Sequence, residues 1–224
     1  MKSLIFTEVE TQWKQINLVK EYESLSWDFK TIMYISNFNL NYKLRLEYKF
    51  MNNIKKKYDS CTFGGFLENR SISKLHTFIH LGIDIYNIEI NSAVRAPCGS
   101  EVIFVSKRGK IILKMKNRYN GNQYLLLDHL GFVLPQIGRI FETGDLIAFL
   151  GNSTKNCGFP PRLHVQCISD YFFDLYESNN KLNELPKYWS SDSEIYSDCD
   201  NLPTNSQEEY LLKLVCDPTD LVFE

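Results

Sequence analysis

The stretch from about residue 78 to residue 168 constrains the fold most, because short apolar runs alternate there with turn residues. The runs are rich in β-branched and aliphatic side chains and read FIHLGIDIYNIEI, AVRAPCGSEVIFVSKRG, KIILKMKNRYNGNQYLLLDHL, GDLIAFLG and RLHVQCI. Runs of this kind, separated by glycine, proline and asparagine, predict β-strands. Residues 110–116 and 124–129 flank Asn120, Gly121 and Asn122, which predicts a hairpin. The sequence therefore predicts a mostly β fold, an antiparallel β-sandwich or barrel-like core.

The first 63 residues show helical periodicity instead. Thr7 and Glu10 have the spacing of a capping box, and apolar residues follow at helical intervals up to Val19, which predicts a helix over residues 7–24. A second periodic stretch runs from Leu40 to Ile54 and ends in three lysines, which suit the C-terminal end of a helix dipole. We therefore expect three parts, namely a helical segment packed on the core (1–63), a β domain (64–176), and a polar acidic loop with a C-terminal closing segment (177–224).

Charge and composition exclude several classes of partner. The 25 basic and 27 acidic residues give a net charge of −2, so no basic surface for nucleic acid is expected. The apolar stretch at the N-terminus ends at Glu8, too early for a signal peptide, and no run approaches the ~20 apolar residues of a membrane span. Six cysteines without a CxxC pair indicate reduced thiols. We expect a soluble, cytoplasmic protein, with unconventional export left open.

Three residues have the types and spacing of metal ligands. His80 and Asp84 are four positions apart around Gly82, so on an extended strand they share one face. An imidazole nitrogen and a carboxylate oxygen are both ligands that zinc accepts. His164, in the run PPRLHVQ, would supply a third ligand and leave a fourth position for water. Taken alone, HxxxD is common by chance, and the alternative is a strand histidine without a metal.

The order of several motifs resembles that of the lysostaphin-type zinc endopeptidases, which cut peptidoglycan peptides. The resemblance covers about residues 64–168. Within the family, it is strongest with the variant domain that is found fused to class III aminotransferases. The lead-in GGYxExR is matched by Gly64, Gly65, Phe66, Glu68 and Arg70, and the motif HxGxD is matched by HLGID. The turn AP-x-x-G is matched by Ala96, Pro97 and Gly99, and the histidine-leucine pair by His129 and Leu130. Further matches are the glycines Gly138 and Gly144, the strand GDLIA, and CGFPPRLHVQ for the family's GGWPPHLHFQ.

The resemblance implies a fold, a cofactor and a set of roles. The fold would be a peptidase core of the duplicated hybrid motif type. His80, Asp84 and His164 would be ligands of Zn²⁺, and His129 would be the catalytic histidine, which moves protons or stabilises charge beside the metal. The two charged residues of the lead-in, Glu68 and Arg70, would bind the substrate. That substrate would be a peptide, such as a peptidoglycan stem or cross-bridge peptide.

Arg162 departs from the family's pattern, because it stands where the first histidine of HxH is expected. An arginine stays protonated and cannot act as a base, although its N–H groups can stabilise an oxyanion. Its charge also disfavours a nearby Zn²⁺ unless a carboxylate compensates or the side chain turns away. Two hypotheses follow: a zinc endopeptidase with altered chemistry, or a catalytically degenerate protein of the same fold that binds a peptide or partner without cleaving it.

Other residues carry weaker interpretations. His76 is interpreted as a surface histidine, and Asp128 is expected to point away from the face that carries His129. Cys157, His164 and Cys167 are interpreted as a coincidence rather than a second metal site. HLGIDI also resembles the active-site strand of glucose-type carrier domains of the sugar phosphotransferase system, where the histidine accepts a phosphoryl group. That alternative explains neither PPRLHVQ nor the lead-in.

Overall fold

A computed structural model describes residues 2–9, 12–17, 20–21, 40–58, 60–68, 80–106, 109–134, 136–152, 161–170 and 215–224. The helices are α1 (Leu40–Lys57) and α2 (Thr219–Val222). The strands are β1 (Trp13–Gln15), β2 (Cys61–Gly64), β3 (Ile83–Tyr86), β4 (Ala93–Arg95), β5 (Ser100–Val105), β6 (Ile111–Tyr119), β7 (Asn122–Asp128), β8 (Leu130–Val133), β9 (Ile140–Phe141), β10 (Leu146–Leu150), β11 (Leu163–Ile168) and β12 (Val215–Cys216). The predicted mostly β fold is confirmed.

The strands of the described residues form two sheets. The larger sheet has nine strands in the order β1-β2-β3-β11-β7-β6-β5-β9, with β12 beside β11. The smaller sheet has three strands in the order β4-β10-β8. Among the pairs, β1 and β2 are parallel, and the remaining pairs are antiparallel, as predicted.

The apolar core takes side chains from both sheets. On β11, Leu163, Val165 and Cys167 alternate onto the core face, where they join Val94 of β4 and Ala148 of β10. Each buried aliphatic side chain of this kind stabilises the fold by about 1.5–3 kcal/mol. The intervening positions of β11 face the other side of the large sheet, because successive side chains on a strand alternate. That alternation leaves a row of polar side chains on one face of the central strands.

The hairpin predicted around Asn120 and Gly121 is present between β6 and β7. Both residues have positive φ angles, 48° and 82°, as a two-residue turn of type I′ requires. A glycine is favoured at the second position, since it adopts positive φ without strain. The turn places Tyr119 opposite Asn122, and the register shifts between Tyr119 and Lys114, beyond which Ile111 lies opposite Leu127.

One of the two predicted helices is present, and the other is wrong over Trp13–Gln15 although residues 20–21 are helical. The second forms α1, with its lysines in the last turn and with Phe50 and Ile54 buried. The first, predicted over residues 7–24, is contradicted at Trp13–Gln15, which form β1. Trp13 is buried against Phe223, with ring centroids 5.1 Å apart. Tertiary packing therefore overrides the helical spacing of these apolar residues.

A close approach of two backbones explains why β1 fits beside β2. The N–H of Ile16 donates to the carbonyl of Phe63 at 2.8 Å. A Cβ atom at Gly64 would overlap the carbonyl oxygen of Ile16, so this approach requires glycine.

The two ends of the chain meet at the edge of the core. Lys2 and Glu224 exchange two backbone hydrogen bonds of 2.8 Å, and Ser3 bridges to Phe223. In the part of the chain that the structure describes, no helix has both the length and the apolar composition to cross a bilayer. The polar segment 177–209 lies outside the described residues, and the proposed division of the chain at 63 and 176 stays a prediction.

Candidate metal centre

Strand register places three polar residues side by side on the large sheet. Asp84 of β3 lies directly opposite His164 of β11, and on the other side His164 lies opposite Asp128 of β7. Residues directly opposite each other on paired strands share a face. His80 precedes β3, and its backbone N–H donates to the carbonyl of Glu68 at 3.0 Å. That hydrogen bond ties the segment carrying His80 to the end of β2.

Gly82 leaves room for the histidine rings. A Cβ atom at this position would lie 2.8 Å from Cε1 of His164 and would overlap the carbonyl oxygen of Val165. Real Cβ atoms do not approach other atoms so closely, so a side chain would displace either the ring or β11. The glycine of HLGIDI is therefore needed for the packing of His164 against the segment from His80 to Asp84.

Three candidate ligand atoms converge at one point. Nδ1 of His164 lies 3.1 Å from Oδ1 of Asp84 and 3.1 Å from Nε2 of His80. The distance between Nε2 of His80 and Oδ1 of Asp84 is 3.4 Å. Ligands about 2.0–2.1 Å from a tetrahedral zinc ion are about 3.3 Å apart. All three side chains are buried, and among the described residues they are the one His, Cys, Asp or Glu group with this spacing.

Neighbouring groups determine where the imidazole hydrogens lie. Nδ1 of His80 is 2.8 Å from the carbonyl oxygen of Gly65, which can only accept, so Nδ1 carries the hydrogen. Nε2 of His164 is 3.2 Å from Oε1 of Gln166 and donates to it. Nε2 of His80 and Nδ1 of His164 are therefore left with lone pairs that face the carboxylate of Asp84. Such a set of acceptors fits Zn²⁺, and outer hydrogen bonds of this kind orient metal-binding histidines.

The carboxylate of Asp84 is held in its charged form. Burial raises the pKa of Asp84, but the charge of His80, whenever that ring is protonated, and the permanent charge of Arg162 outweigh burial and hold the pKa well below its ordinary value. The hydroxyl of Tyr86 donates to Oδ2 at 3.2 Å. Oδ2 is thus engaged by neighbouring residues, while Oδ1 faces the two imidazole rings.

Arg162 lies beside this group rather than turning away. Its side chain is buried, and Nε is 3.9 Å from Oδ2 of Asp84 and 3.3 Å from Nε2 of His129. The carboxylate that would offset the arginine charge near a metal is thus Asp84 itself. Because a guanidinium can only donate, Nε2 of His129 accepts the hydrogen bond, and the hydrogen of this imidazole is on Nδ1.

His129 reaches the site through a break in the strand pattern. Its φ angle is +69°, so the alternation of β7 ends at Asp128. The carboxylate of Asp128 accepts the backbone N–H of His129 at 2.7 Å and pairs with Nζ of Lys110 at 3.0 Å. Burial raises the pKa of Asp128, but the charges of His129 and Lys110 lower it below its ordinary value. Asp128 thereby holds the bend that directs His129 toward Arg162.

The imidazole of His129 is neutral at neutral pH. Burial is the main cause, and the adjacent charge of Arg162 adds to it, so that the pKa of His129 falls to about 4. The negative charges of Asp128 and Asp84 oppose this shift without reversing it. A neutral ring can accept a proton at Nε2 when the hydrogen bond from Arg162 is released.

The residues predicted from sequence fall into three groups. His80, Asp84 and His164 come together, Arg162 adjoins them through its ion pair with Asp84, and His129 accepts a hydrogen bond from Arg162. Of the two residues predicted to bind the substrate, Glu68 accepts the backbone N–H of His80 with its backbone carbonyl. The remaining candidates discussed above lie outside the described residues: Arg70, His76 and Cys157.

Sequence reasoning missed the residues that surround these side chains. Gln166 could have been found, since it lies two positions after His164 and therefore shares its strand face. The carbonyl of Gly65 and the hydroxyl of Tyr86 give no comparable signal. The pairing of Asp128 with Lys110 depends on the register between β6 and β7.

Several solved structures that this chain resembles are peptidases. The catalytic domain of the antimicrobial peptidase lysostaphin from Staphylococcus simulans is 21% identical, with a TM-score of 0.33, over 40% of this chain and 67% of its own. A zinc-containing peptidase from Vibrio cholerae is 22% identical, with a TM-score of 0.32, over 40% of this chain and 26% of its own. An M23 peptidase from Pseudomonas aeruginosa is 16% identical, with a TM-score of 0.33, over 39% of this chain and 37% of its own.

These matches are partial in both directions. The match spans about two fifths of this chain and less than two fifths of the Vibrio and Pseudomonas chains. No protein-family model and no curated protein matches the sequence. At these identities and TM-scores, the likeness does not assign the chain to a family, and its chemistry has to be argued from its own side chains.

Proposed function

We propose that the chain is a zinc-dependent endopeptidase that hydrolyses amide bonds in peptides of the peptidoglycan type. The observation that carries the proposal is the convergence of three candidate ligand atoms, Nε2 of His80, Oδ1 of Asp84 and Nδ1 of His164, within 3.1–3.4 Å of one another; in the neutral rings both nitrogens are acceptors. Two buried lone pairs facing a carboxylate repel one another unless a cation lies between them. These three residues would therefore hold Zn²⁺.

The remaining side chains have the properties that amide hydrolysis needs. A bound zinc ion would polarise the scissile carbonyl and lower the pKa of a water molecule. His129 is neutral, so its Nε2 would accept a proton and pass it to the leaving amine. Arg162 stays charged, and its N–H groups would stabilise negative charge on the carbonyl oxygen of the substrate. Asp128 would hold the backbone of His129 in place during both proton transfers.

The substrate side of the proposal rests on the sequence motifs. We assign Glu68 and Arg70 to substrate binding, and we propose a peptidoglycan stem or cross-bridge peptide as the substrate. The net charge of −2 gives no reason to propose a nucleic acid partner. The cytoplasmic location and the likeness to the aminotransferase-fused variant stay predictions.

A second candidate function is peptide or partner binding without cleavage. Arg162 favours it, because its Nε already donates to Nε2 of His129 at 3.3 Å. As long as that hydrogen bond persists, the lone pair needed for proton transfer is occupied. In this case the chain would keep the fold and the metal but would not turn over an amide substrate.

The test is an amide-hydrolysis assay on zinc-loaded protein with synthetic stem and cross-bridge peptides. We expect the wild-type chain to cleave one of them and His129→Ala to lose activity by about 10²–10⁴-fold. The matched comparison is Arg162→His, for which cleavage should be equal or faster. Cleavage by Arg162→His alone would select the binding function. If neither protein cleaves any peptide although zinc is bound, the peptidase proposal is wrong.

A further inference from the structure

Two cysteines lie opposite each other on the paired strands β11 and β12. In the register of β11 and β12, Cys167 lies directly opposite Cys216, and Ile168 lies opposite Val215. Neither cysteine is in a disulfide. Their side chains share one face, because they are opposite partners in an antiparallel pair. The structure thus brings together two thiols that are distant in sequence.

We propose that Cys167 and Cys216 are a modification site, at which a small-molecule disulfide such as oxidised glutathione converts the two thiols into a cross-strand disulfide. The site is separate from the candidate metal centre, because Cys167 alternates onto the core face while His164 lies on the opposite face of β11.

Backbone geometry permits the bond with little movement. Opposite residues in an antiparallel pair have Cα atoms about 4.5–5.5 Å apart, and disulfides span about 4.4–6.8 Å. The corresponding Cβ atoms are about 4.5–5.5 Å apart and need to approach to about 4 Å. Since β12 is a two-residue strand, it can shift by this amount without disturbing a long ladder.

The two thiols differ in the way that thiol–disulfide exchange requires. Cys167 is fully buried, whereas Cys216 is partly exposed. A hydrogen bond from Cys167, with a second one from Asn122, holds the pKa of Cys216 below its ordinary value. The same hydrogen bond, together with burial, raises the pKa of Cys167. Cys216 is thus the thiol that is accessible and more readily ionised, as the attacking group should be.

The other described thiols lack this arrangement. Cys61 is buried, its Sγ donates to the carbonyl of Asn87 at 3.3 Å, and burial raises its pKa to about 11. Burial also raises the pKa of Cys98 to about 11. Both thiols are therefore protonated at neutral pH and react slowly with disulfides.

The reaction balances in two exchange steps. The thiolate of Cys216 attacks one sulfur of the small disulfide, the S–S bond of that molecule breaks, and one thiolate leaves. The thiol of Cys167 then loses its proton and attacks the mixed disulfide, which releases the second small thiol. The two cysteines lose two electrons in total, and the small disulfide gains them as two thiols.

The bond would connect the C-terminal segment to the strand that carries His164. Phe223 of this segment stacks on Phe63 with ring centroids 4.3 Å apart, and its backbone bridges to Ser3. A disulfide from residue 167 to residue 216 would also close a long loop, which reduces the conformational freedom of the unfolded chain. Oxidation should therefore raise the Tm by about 5–10 °C.

The experiment uses the full reduced chain, incubated with mixtures of reduced and oxidised glutathione. Free thiols are then blocked with an alkylating reagent, and peptides are identified by mass spectrometry. We expect one linked peptide pair, containing Cys167 and Cys216, and a higher Tm for the oxidised protein. Cys167→Ser should instead accumulate glutathione on Cys216. Cys98→Ser is the matched control and should form the same linked pair as the wild type.

Three results would overturn the proposal. The first is the absence of the linked pair at every glutathione ratio. The second is a linkage that joins other cysteines in preference to these two. The third is equal glutathione addition to Cys216 and to Cys61 or Cys98 in the Cys167→Ser chain. Because the serine variant is nearly isosteric and is read out by glutathione addition, its result does not depend on forming the disulfide.

Discussion

The neutral imidazole of His129 should make the stability of the fold depend on pH. Burial and the charge of Arg162 lower the pKa of His129 from 6.5 to about 4. Between these values the unfolded chain binds a proton that the folded chain does not, so the free energy of unfolding falls as the pH decreases. A pKa shift of one unit changes the free energy of unfolding by about 1.4 kcal/mol. The shift of roughly 2.5 units therefore limits the contribution of His129 to the pH dependence of stability to about 3 kcal/mol.

Urea denaturation of the metal-free chain between pH 7 and pH 4, with a chelator present, tests this dependence. His129→Gln does not titrate, so the wild type should lose about 3 kcal/mol more than this variant across the range. Other groups titrate in both proteins and cancel in the comparison. Arg162→Met should shrink the difference, because one cause of the low pKa is removed. Equal pH dependence in the wild type and His129→Gln would contradict a lowered pKa of His129 in the folded chain.

Three further substitutions test the packing around the site. Gly82→Ala should lower the free energy of unfolding, measured by urea denaturation, by about 1–3 kcal/mol, because the new Cβ would lie 2.8 Å from the ring of His164. An unchanged free energy of unfolding would contradict this close approach. Gln166→Leu should weaken zinc binding in a chelator competition about 10–100-fold, and an unchanged affinity would mean that the hydrogen bond to Nε2 does not orient the ring. Lys110→Met should lower the free energy of unfolding by about 3 kcal/mol, since it leaves the carboxylate of Asp128 without its ammonium partner, and a loss below about 0.5 kcal/mol would argue that the pair is screened by water.

Patterns that are local in sequence predicted much of this fold. The turn at Asn120 and Gly121 has the residue types that positive φ demands, so the hairpin followed from two positions. The motif comparison placed Arg162 two positions before His164, where the first histidine of HxH is expected, and both side chains do reach Asp84. Period and turn chemistry depend on neighbouring residues, which is why they can be predicted from the sequence.

The prediction that failed depends on a contact distant in sequence. Trp13 has helical spacing to its apolar neighbours, but burial against Phe223 at the other end of the chain selects a strand. The carboxylate of Asp128 accepts from the backbone N–H of His129, and the expectation that it points away from the face of His129 stays a prediction. The positive φ of His129 breaks the alternation on which that expectation relied, and it places the carboxylate against the backbone of His129 itself. No local pattern announces such a bend when the residue is not glycine.

The hydrogen-bond partners of the candidate ligands were equally hidden. The carbonyl of Gly65 becomes a partner of His80 only because the segment before β3 pairs with the end of β2. Such a contact depends on the path of the backbone and not on the residue type. The three candidate ligands could be recognised from sequence, whereas the tautomers that make them acceptors required the structure.

The zinc content of the purified chain, measured by elemental analysis before and after reconstitution, tests whether His80, Asp84 and His164 hold a metal ion. The wild-type protein is compared with the double variant His80→Ala, Asp84→Ala, and circular dichroism checks that both are folded. We expect close to one zinc ion per wild-type chain and none in the folded double variant. Absence of zinc from the reconstituted wild type, or equal zinc in the two proteins, would contradict the proposed site.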